Sequence, residues 1–108
     1  MYTDIKRLIA TNAQVGVSIA AIYTAPVGKR SQIGTIILHN TTATAKTVAV
    51  NDNGITLAHE IFSISLSPFE TYEFSPKVPL VLEGGEALFA IASVVATVNI
   101  KIYGREEQ

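Results

Sequence analysis

The clearest pattern lies near the C-terminus, where Val98, Ile100 and Ile102 alternate with Asn99, Lys101 and Tyr103. Alternation of period two puts successive side chains on opposite faces of an extended strand, so one face here belongs to a core and the other to solvent or a neighbour. Two runs depart from that pattern. GTIILHN, residues 34–40, is apolar at Ile36, Ile37 and Leu38, and LFAIASVVATV, residues 88–98, is apolar almost throughout. A strand that is apolar on both faces is central in its sheet, or its outer face lies against another subunit.

Turn-forming clusters punctuate these runs at intervals of 8 to 15 residues: Pro26-Val27-Gly28, Thr41 to Ala45, Asp52-Asn53-Gly54, Ser67-Pro68, Ser75-Pro76 to Pro79, and Gly84-Gly85. The segments between them predict strands at Val15 to Thr24, Ser31 to Asn40, Lys46 to Asn51, Ile55 to Ile61, Thr71 to Ser75, Leu80 to Leu82, Ala87 to Val94 and Ala96 to Tyr103. Ile and Val total 23 residues against 7 Leu, and 11 Thr add to the β-branched load, which disfavours helix and suits a pleated, half-buried surface. About eight short strands between regular turns predict an all-β sandwich or barrel. No repeat, linker or low-complexity tract divides the chain, so residues 13–108 read as one domain. Residues 1–12, with Ile5, Leu8 and Ile9 on no clean period, are either an arm reaching a neighbour or a first strand.

Composition sharpens the question of what covers the apolar strands. The 108 residues are 48% hydrophobic and 16% charged, against about 25% charged in an average soluble domain. Large apolar patches on a small domain usually mark contacts with other chains, so an oligomer or assembly subunit is expected. The net charge of -1 leaves no electrostatic footprint for nucleic acid or an anionic membrane. With no cysteine, disulfides and thiolate metal sites are excluded. Leu8 to Gly28 carries no charge, but Asn12, Gln14, Ser18 and Pro26 interrupt it, so it fails as a signal peptide or membrane span and the chain is expected to be soluble and untargeted.

Candidate chemistry is sparse. His39 and His59 have no carboxylate at a recognised ligand spacing, and adjacent His59 and Glu60 would point to opposite faces of a strand. Asp52-Asn53-Gly54 lacks the later ligands of a calcium loop and reads as a hairpin turn. Gly84-Gly85 between Glu83 and Glu86 is a hairpin corner, since flanking carboxylates would repel phosphate. Asn40-Thr41-Thr42 fits a glycosylation sequon, yet Asn and Thr are good turn residues. No serine sits in a nucleophile elbow and no carboxylate pair stands out as acid and base. No catalytic, metal or cofactor site is expected. A sugar-binding sandwich would want exposed aromatics. There is no Trp, and the four Tyr are dispersed, leaving Tyr72 and Tyr103 as stacking candidates.

The stretch YTAPVGKRSQIGTIILHNTT, residues 23–42, followed later by PLVLEGGEALFAIAS, residues 79–93, resembles a group of small virion proteins of tailed bacteriophages. The matched positions are Tyr23, Thr24, Ala25, Pro26, Gly28, Arg30, Asn40, Thr42, Leu82, Gly85, Glu86 and Leu88, within a resemblance reaching from Tyr23 to Tyr103. It implies a β-sandwich, often jelly-roll-like, that serves as a head decoration (cement) protein or as a neck, tail or fibre component. It implies no catalytic residue. The expected partners are therefore a second copy of the chain, a trimer in the first place, and major capsid or tail proteins. The expected location is the virion, after synthesis in the host cytoplasm. The residues expected to meet those partners are Ile5, Leu8, Ile9, Ile36, Leu38, Val94 and Val95, with Arg30 at the rim.

Overall fold

The computed structural model describes residues 6–7, 13–16, 19–94 and 97–107. It is an all-β sandwich built from β1 (Lys6–Arg7), β2 (Ala13–Gln14), β3 (Ala20–Thr24), β4 (Arg30–Asn40), β5 (Lys46–Asp52), β6 (Glu60–Leu66), β7 (Thr71–Phe74), β8 (Leu80–Glu83), β9 (Ala87–Ala92) and β10 (Val98–Glu107), with one short 3-10 turn at Leu57–His59. β1 and β2 both pair with β10, and β7 and β8 both pair with β4, so the two pairs act as two interrupted strands. The sheets then run β1/β2-β10-β4-β7/β8 and β3-β9-β5-β6.

The topology follows from one long hairpin. The N-terminal half lies antiparallel to the C-terminal half in nested order, β1/β2 on β10, β3 on β9, β4 on β7/β8 and β5 on β6, with the tip at residues 53–59. Rolling that ribbon brings β10 against β4 and β9 against β5 and closes two sheets. This is the jelly roll, in which six of the chain's corners carry it from one sheet to the other.

Those corners obey local rules. Lys29 N–H donates to Pro26 O at 3.1 Å and Glu86 N–H to Glu83 O at 2.9 Å. Each turn has glycine at its third position, Gly28 at φ 83° and Gly85 at φ 91°, where a side chain would be strained. Pro26 opens its turn. The two turns are stitched together through Ala25, whose N–H donates to Glu86 O and whose carbonyl accepts from Gly85 N–H. Both link strands of different sheets, so Gly84-Gly85 is not the hairpin corner expected from sequence.

At the opposite end Asn40 is fully buried. Its Nδ2 donates to Thr44 O at 2.8 Å, Ser67 O at 3.1 Å and Leu66 O at 3.2 Å, while its Oδ1 accepts from Thr42 N–H and Oγ1–H. One side chain thus ties the β4–β5 crossing to the β6–β7 crossing. A glycan on Asn40 would have to sit in that corner, and the sequon is structural.

Two details depart from the sequence reading. Asn53 turns the tip at φ 52°, but the loop runs on through residue 59 before β6 begins at Glu60, five residues later than expected. His59 N–H closes the 3-10 turn on Thr56 O, and Asn51 Nδ2 donates to that same carbonyl, so polar backbone pairing holds 55–59 out of the sheet. His59 therefore ends a turn and does not alternate with Glu60 on a strand. The second departure is in β4, where Tyr103 faces Thr35 and Gly104 faces Ile33, leaving Gly34 as an extra, bulged residue. The bulge switches parity: Ser31 and Ile33 point inward before it, Ile36, Leu38 and Asn40 after it. Between the sheets lie Ile33, Ile36, Leu38, Val48, Val50, Leu66, Leu82, Leu88, Ile100 and Ile102, all but closed to solvent.

Candidate assembly surface

The bulge decides which residues of GTIILHN can reach a partner. Ile36 and Leu38 are 0% exposed in the chain's own core, so the expectation that they form an interface is corrected. β4 is central, and its outer face carries Thr35, Ile37 and His39. Ile37 is half-buried between Lys101 of β10 and Glu73 of β7, two opposite charges in one cross-strand row. Rows above and below it are polar: Asn99, His39 and Thr71, then Tyr103 and Thr35, with Thr35 Oγ1 at 3.2 Å from Ser75 Oγ. His39 Nδ1 lies 2.8 Å from Thr71 Oγ1. Arg30 is exposed at the end of this sheet, its Nε 3.4 Å from Glu83 Oε2. The outer face of the β10-β4 sheet is thus a charge-balanced, ordinary wet surface.

The other outer face differs. The β3-β9-β5-β6 sheet turns outward Ala21, Phe89, Asn51, Glu60, Ile91, Thr47, Ala49, Ser63 and Ser65, placed in rows by the pairs Ala21–Phe89–Asn51–Glu60, Ile91–Ala49–Ser63 and Thr47–Ser65. Among these only Glu60, at the β6 edge, is charged. A shallow groove of about 170 Å³ runs between Thr47, Ala49, Ser63, Ile91 and Ser93. Val94, expected at an interface, is 45% exposed where this sheet ends. Ile5, Leu8, Ile9 and Val95 lie outside the described residues. Lys6 and Arg7 pair with Gly104 and Tyr103, which makes that part of the N-terminal segment an edge strand.

The flank where β6 stacks over β7 was not foreseen. Phe62 of β6 lies 4.6 Å from Phe74 and 6.0 Å from Tyr72 of β7, ring centroid to centroid, and fills the mouth of the sandwich. Tyr72 is thereby committed to packing. At the end of the same flank Phe69 is 60% exposed at φ 58°. The strand shift of β6 hid this side: a sequence reading that ended the strand at Ile61 left Phe62 and Ile64 without a partner sheet.

Titratable groups serve structure. Tyr23, 8% exposed, crosses from β3 to the opposite sheet, where its hydroxyl donates to Glu106 Oε2 at 2.6 Å and lies 2.7 Å from Ser31 Oγ. Burial, reinforced by the hydrogen bond to Glu106, pushes its pKa up to about 12. Asp52 is raised by burial and then by the charge of Glu86. His59 Nδ1–H donates to Asp52 O at 3.0 Å. Among the described residues no three of His, Cys, Asp and Glu converge on a site that could hold a metal ion. No described helix is long and apolar enough to cross a membrane. A depression of about 140 Å³ opens beside the bulge, lined by Gln32, Gly34, Thr35, Tyr103 and Arg105.

No protein-family model matches the chain, and no curated protein matches it.

Proposed function

We propose that the protein is a non-enzymatic structural subunit of a tailed-bacteriophage virion, in the first place a head decoration protein that binds the assembled shell as an oligomer. The observation that carries this reading is the charge-poor outer face of the β3-β9-β5-β6 sheet, whose one charge among the described residues is Glu60 at the β6 edge, set against a face on the other sheet with charges in its rows. A face of Ala, Ser, Thr, Phe and Ile desolvates at little cost and fits closely against another flat protein surface. Repetition over symmetry-related sites of a shell turns one modest contact into avidity, and bridging adjacent capsid subunits braces the shell. The phage-like positions support the reading from another direction. Tyr23, Ala25, Pro26, Gly28, Gly85 and Glu86 gather around the paired turns at one end of the sandwich, so together they specify a particular corner of a jelly roll.

Co-sedimentation with purified phage heads and tails tests it. Saturable binding to heads is the expected result. Binding to tails alone moves the assignment to a neck, tail or fibre component, and binding to neither particle overturns it. One observation favours a second reading as a glycan-binding module: Tyr103 stands beside Gln32 and Arg105 at the bulge depression, an aromatic wall next to polar groups. A saccharide hit on a glycan array that Tyr103→Ala abolishes would select it.

A further inference from the structure

Three independent features mark the β6/β7 side of the sandwich. The half-buried apolar residues packed against the core are Ile22, Ile61, Phe62, Ile64, Tyr72, Phe74 and Leu80, and all but Ile22 belong to β6, β7 or β8. The core is incompletely covered on that side.

The second feature is the edge itself. Proteins protect sheet edges with short strands, bulges, prolines or lysines. Here β3 spans five residues and carries a register shift between Ala21 and Tyr23, β1 and β2 have two residues each, and β7 is parted from β8 by a segment holding Pro76 and Pro79. β6 bulges at Ile61, but beyond that point Phe62 to Leu66 pair with Val50 to Lys46 without interruption and carry no charge or proline. Among the described residues no strand pairs with its outer edge, so its outward backbone groups form a template.

The third feature is Phe69. The turn from Ser67 to Glu70 is closed by Glu70 N–H to Ser67 O at 3.0 Å and by Ser67 N–H to Glu70 Oε1 at 2.7 Å. Pro68 holds the second position and Phe69 the third, where left-handed backbone favours glycine. The Phe69 N–H donates to Thr42 O at 3.1 Å, but a bulky side chain at positive φ that is left 60% exposed recovers little of that strain inside its own chain.

We propose that β6 pairs antiparallel with β6 of a second copy about a two-fold axis at Ser63, joining the two β3-β9-β5-β6 sheets edge to edge, with each Phe69 docking toward the 55–59 loop of the other copy. The sequence of β6 is self-complementary about that axis. Opposed residues share a face, so Phe62 meets Ile64 of the second copy on the core side, and Ser63 meets Ser63 outside. A bulge at Ile61 turns Glu60 to the outer face, so the matched run is Phe62 to Ile64. An axis at Ile64 would instead bring Pro68, which has no N–H to offer, into the paired stretch. Ile55, 62% exposed in the tip loop, gains cover at the same time. The apolar area involved is on the order of 400–500 Å² per copy before backbone is counted, against about 800 Å² per partner in a stable interface. The contact is isologous and yields a dimer, in place of the trimer expected from sequence. It does not rest on the virion assignment.

Sedimentation velocity on the full chain, at roughly 100 μM so that a micromolar Kd is saturated, reads the assembly. A dimer is expected. Phe69→Gly should raise its Kd about tenfold or more while leaving Tm unchanged or higher, because glycine relieves the turn. Ser63→Lys should abolish it by setting two ammonium groups face to face. The chain has no cysteine, so Ser63→Cys offers one thiol per copy; it should oxidise to a covalent dimer, and Ser65→Cys, opposite Ile61, should not. A monomer at that concentration, or an oligomer indifferent to both Phe69→Gly and Ser63→Lys, overturns the proposal. A Ser65→Cys dimer forming as readily as the Ser63→Cys dimer overturns the register.

Discussion

The two sheets pack their inner faces on one core, yet their outer faces are built to opposite rules. On the β10-β4 sheet Ile37 stands between Lys101 and Glu73 in a field of hydroxyls, amides and charges, with Val81 of β8 apart from it beside Gln32. On the β3-β9-β5-β6 sheet Ile91 stands in a row with Ala49 and Ser63, and the one charge of the described face, Glu60, lies at its edge beyond Asn51. The same side-chain type therefore has different consequences. Ile37 is a covered residue on a wet face, while Ile91 is part of a dry patch. Low overall charge does not mean low charge everywhere; one face has charges within its rows, and the other keeps its single described charge, Glu60, at the edge.

The comparison assumes that the two faces are held in register, and the strongest way to break it is to cut the tie between the sheets. Asn40→Ala removes five hydrogen bonds at a fully buried position and leaves the carbonyls of Thr44, Leu66 and Ser67 without that donor. A loss of about 3 kcal/mol is expected, read as the urea midpoint at unchanged m-value. Asn40→Asp should be nearly as damaging, since a carboxylate cannot donate to three carbonyls.

The faces can be set against each other with one matched pair of substitutions. Ala49→Lys puts an ammonium at the middle of the charge-poor face, and Thr35→Lys puts one on the face that already has charges within its rows. Both positions are half-buried and point outward, so both variants should fold with stabilities within about 1 kcal/mol of the parent. Ala49→Lys should weaken head binding about ten- to a hundredfold, the cost of leaving a charge in a desolvated contact, and Thr35→Lys should leave it unchanged. Equal losses would mean that the difference between the faces has no functional content.

Much of this architecture could be read from the sequence, and the failures have identifiable causes. β4, β5, β7, β8 and β9 fall within two residues of the alternation-based boundaries, because strands in a sandwich are one face core and one face surface, and the turns between them use glycine, proline and asparagine for their φ values. Ile36 and Leu38 were misassigned because a bulge at Gly34 carries no sequence signature when glycine is also a turn former. With parity fixed only after the bulge, a triple Ile-Ile-Leu reads as apolar on both faces. β6 was misplaced because Asn53-Gly54 is the mark of a two-residue hairpin, and here side-chain bonding from Asn51 holds a longer loop in its stead. The exposed Phe69 was invisible for a similar reason. Pro68-Phe69 has half the signature of a turn whose third residue is normally glycine, and only the backbone angle shows that Phe occupies that place.

A smaller effect separates the ends of the sandwich. Tyr23→Phe keeps the ring in the core but leaves buried Ser31 without its tyrosine partner, for an expected loss of about 1–2 kcal/mol at neutral pH. The pH dependence has a definite sign. With a folded pKa of about 12 against about 10 in the unfolded chain, the neutral phenol is favoured by folding. Its contribution is present in full below about pH 10 and is lost as the pH rises toward 12. The difference between parent and Tyr23→Phe in a denaturant titration should therefore shrink above pH 10, and a constant difference across that window would contradict the Tyr23–Glu106 geometry.

The smallest expected effect bears most directly on the opening contrast. Ile37→Thr replaces a half-buried apolar side chain on the wet face with a β-branched polar one that keeps strand propensity. Lys101 and Glu73 still flank the position, and a threonine hydroxyl there has water and neighbouring side chains as partners, so stability should fall by about 0.5 kcal/mol and head binding should not change. Ile91→Thr makes the same chemical change on the other sheet, with Ala49 and Ser63 alongside. Its cost in stability should be similar, but binding should weaken severalfold, because the hydroxyl must lose water when the dry patch is covered. If the two variants behave alike in co-sedimentation, Ile91 is as incidental to assembly as Ile37, and the charge-poor face must owe its composition to packing within the sheet.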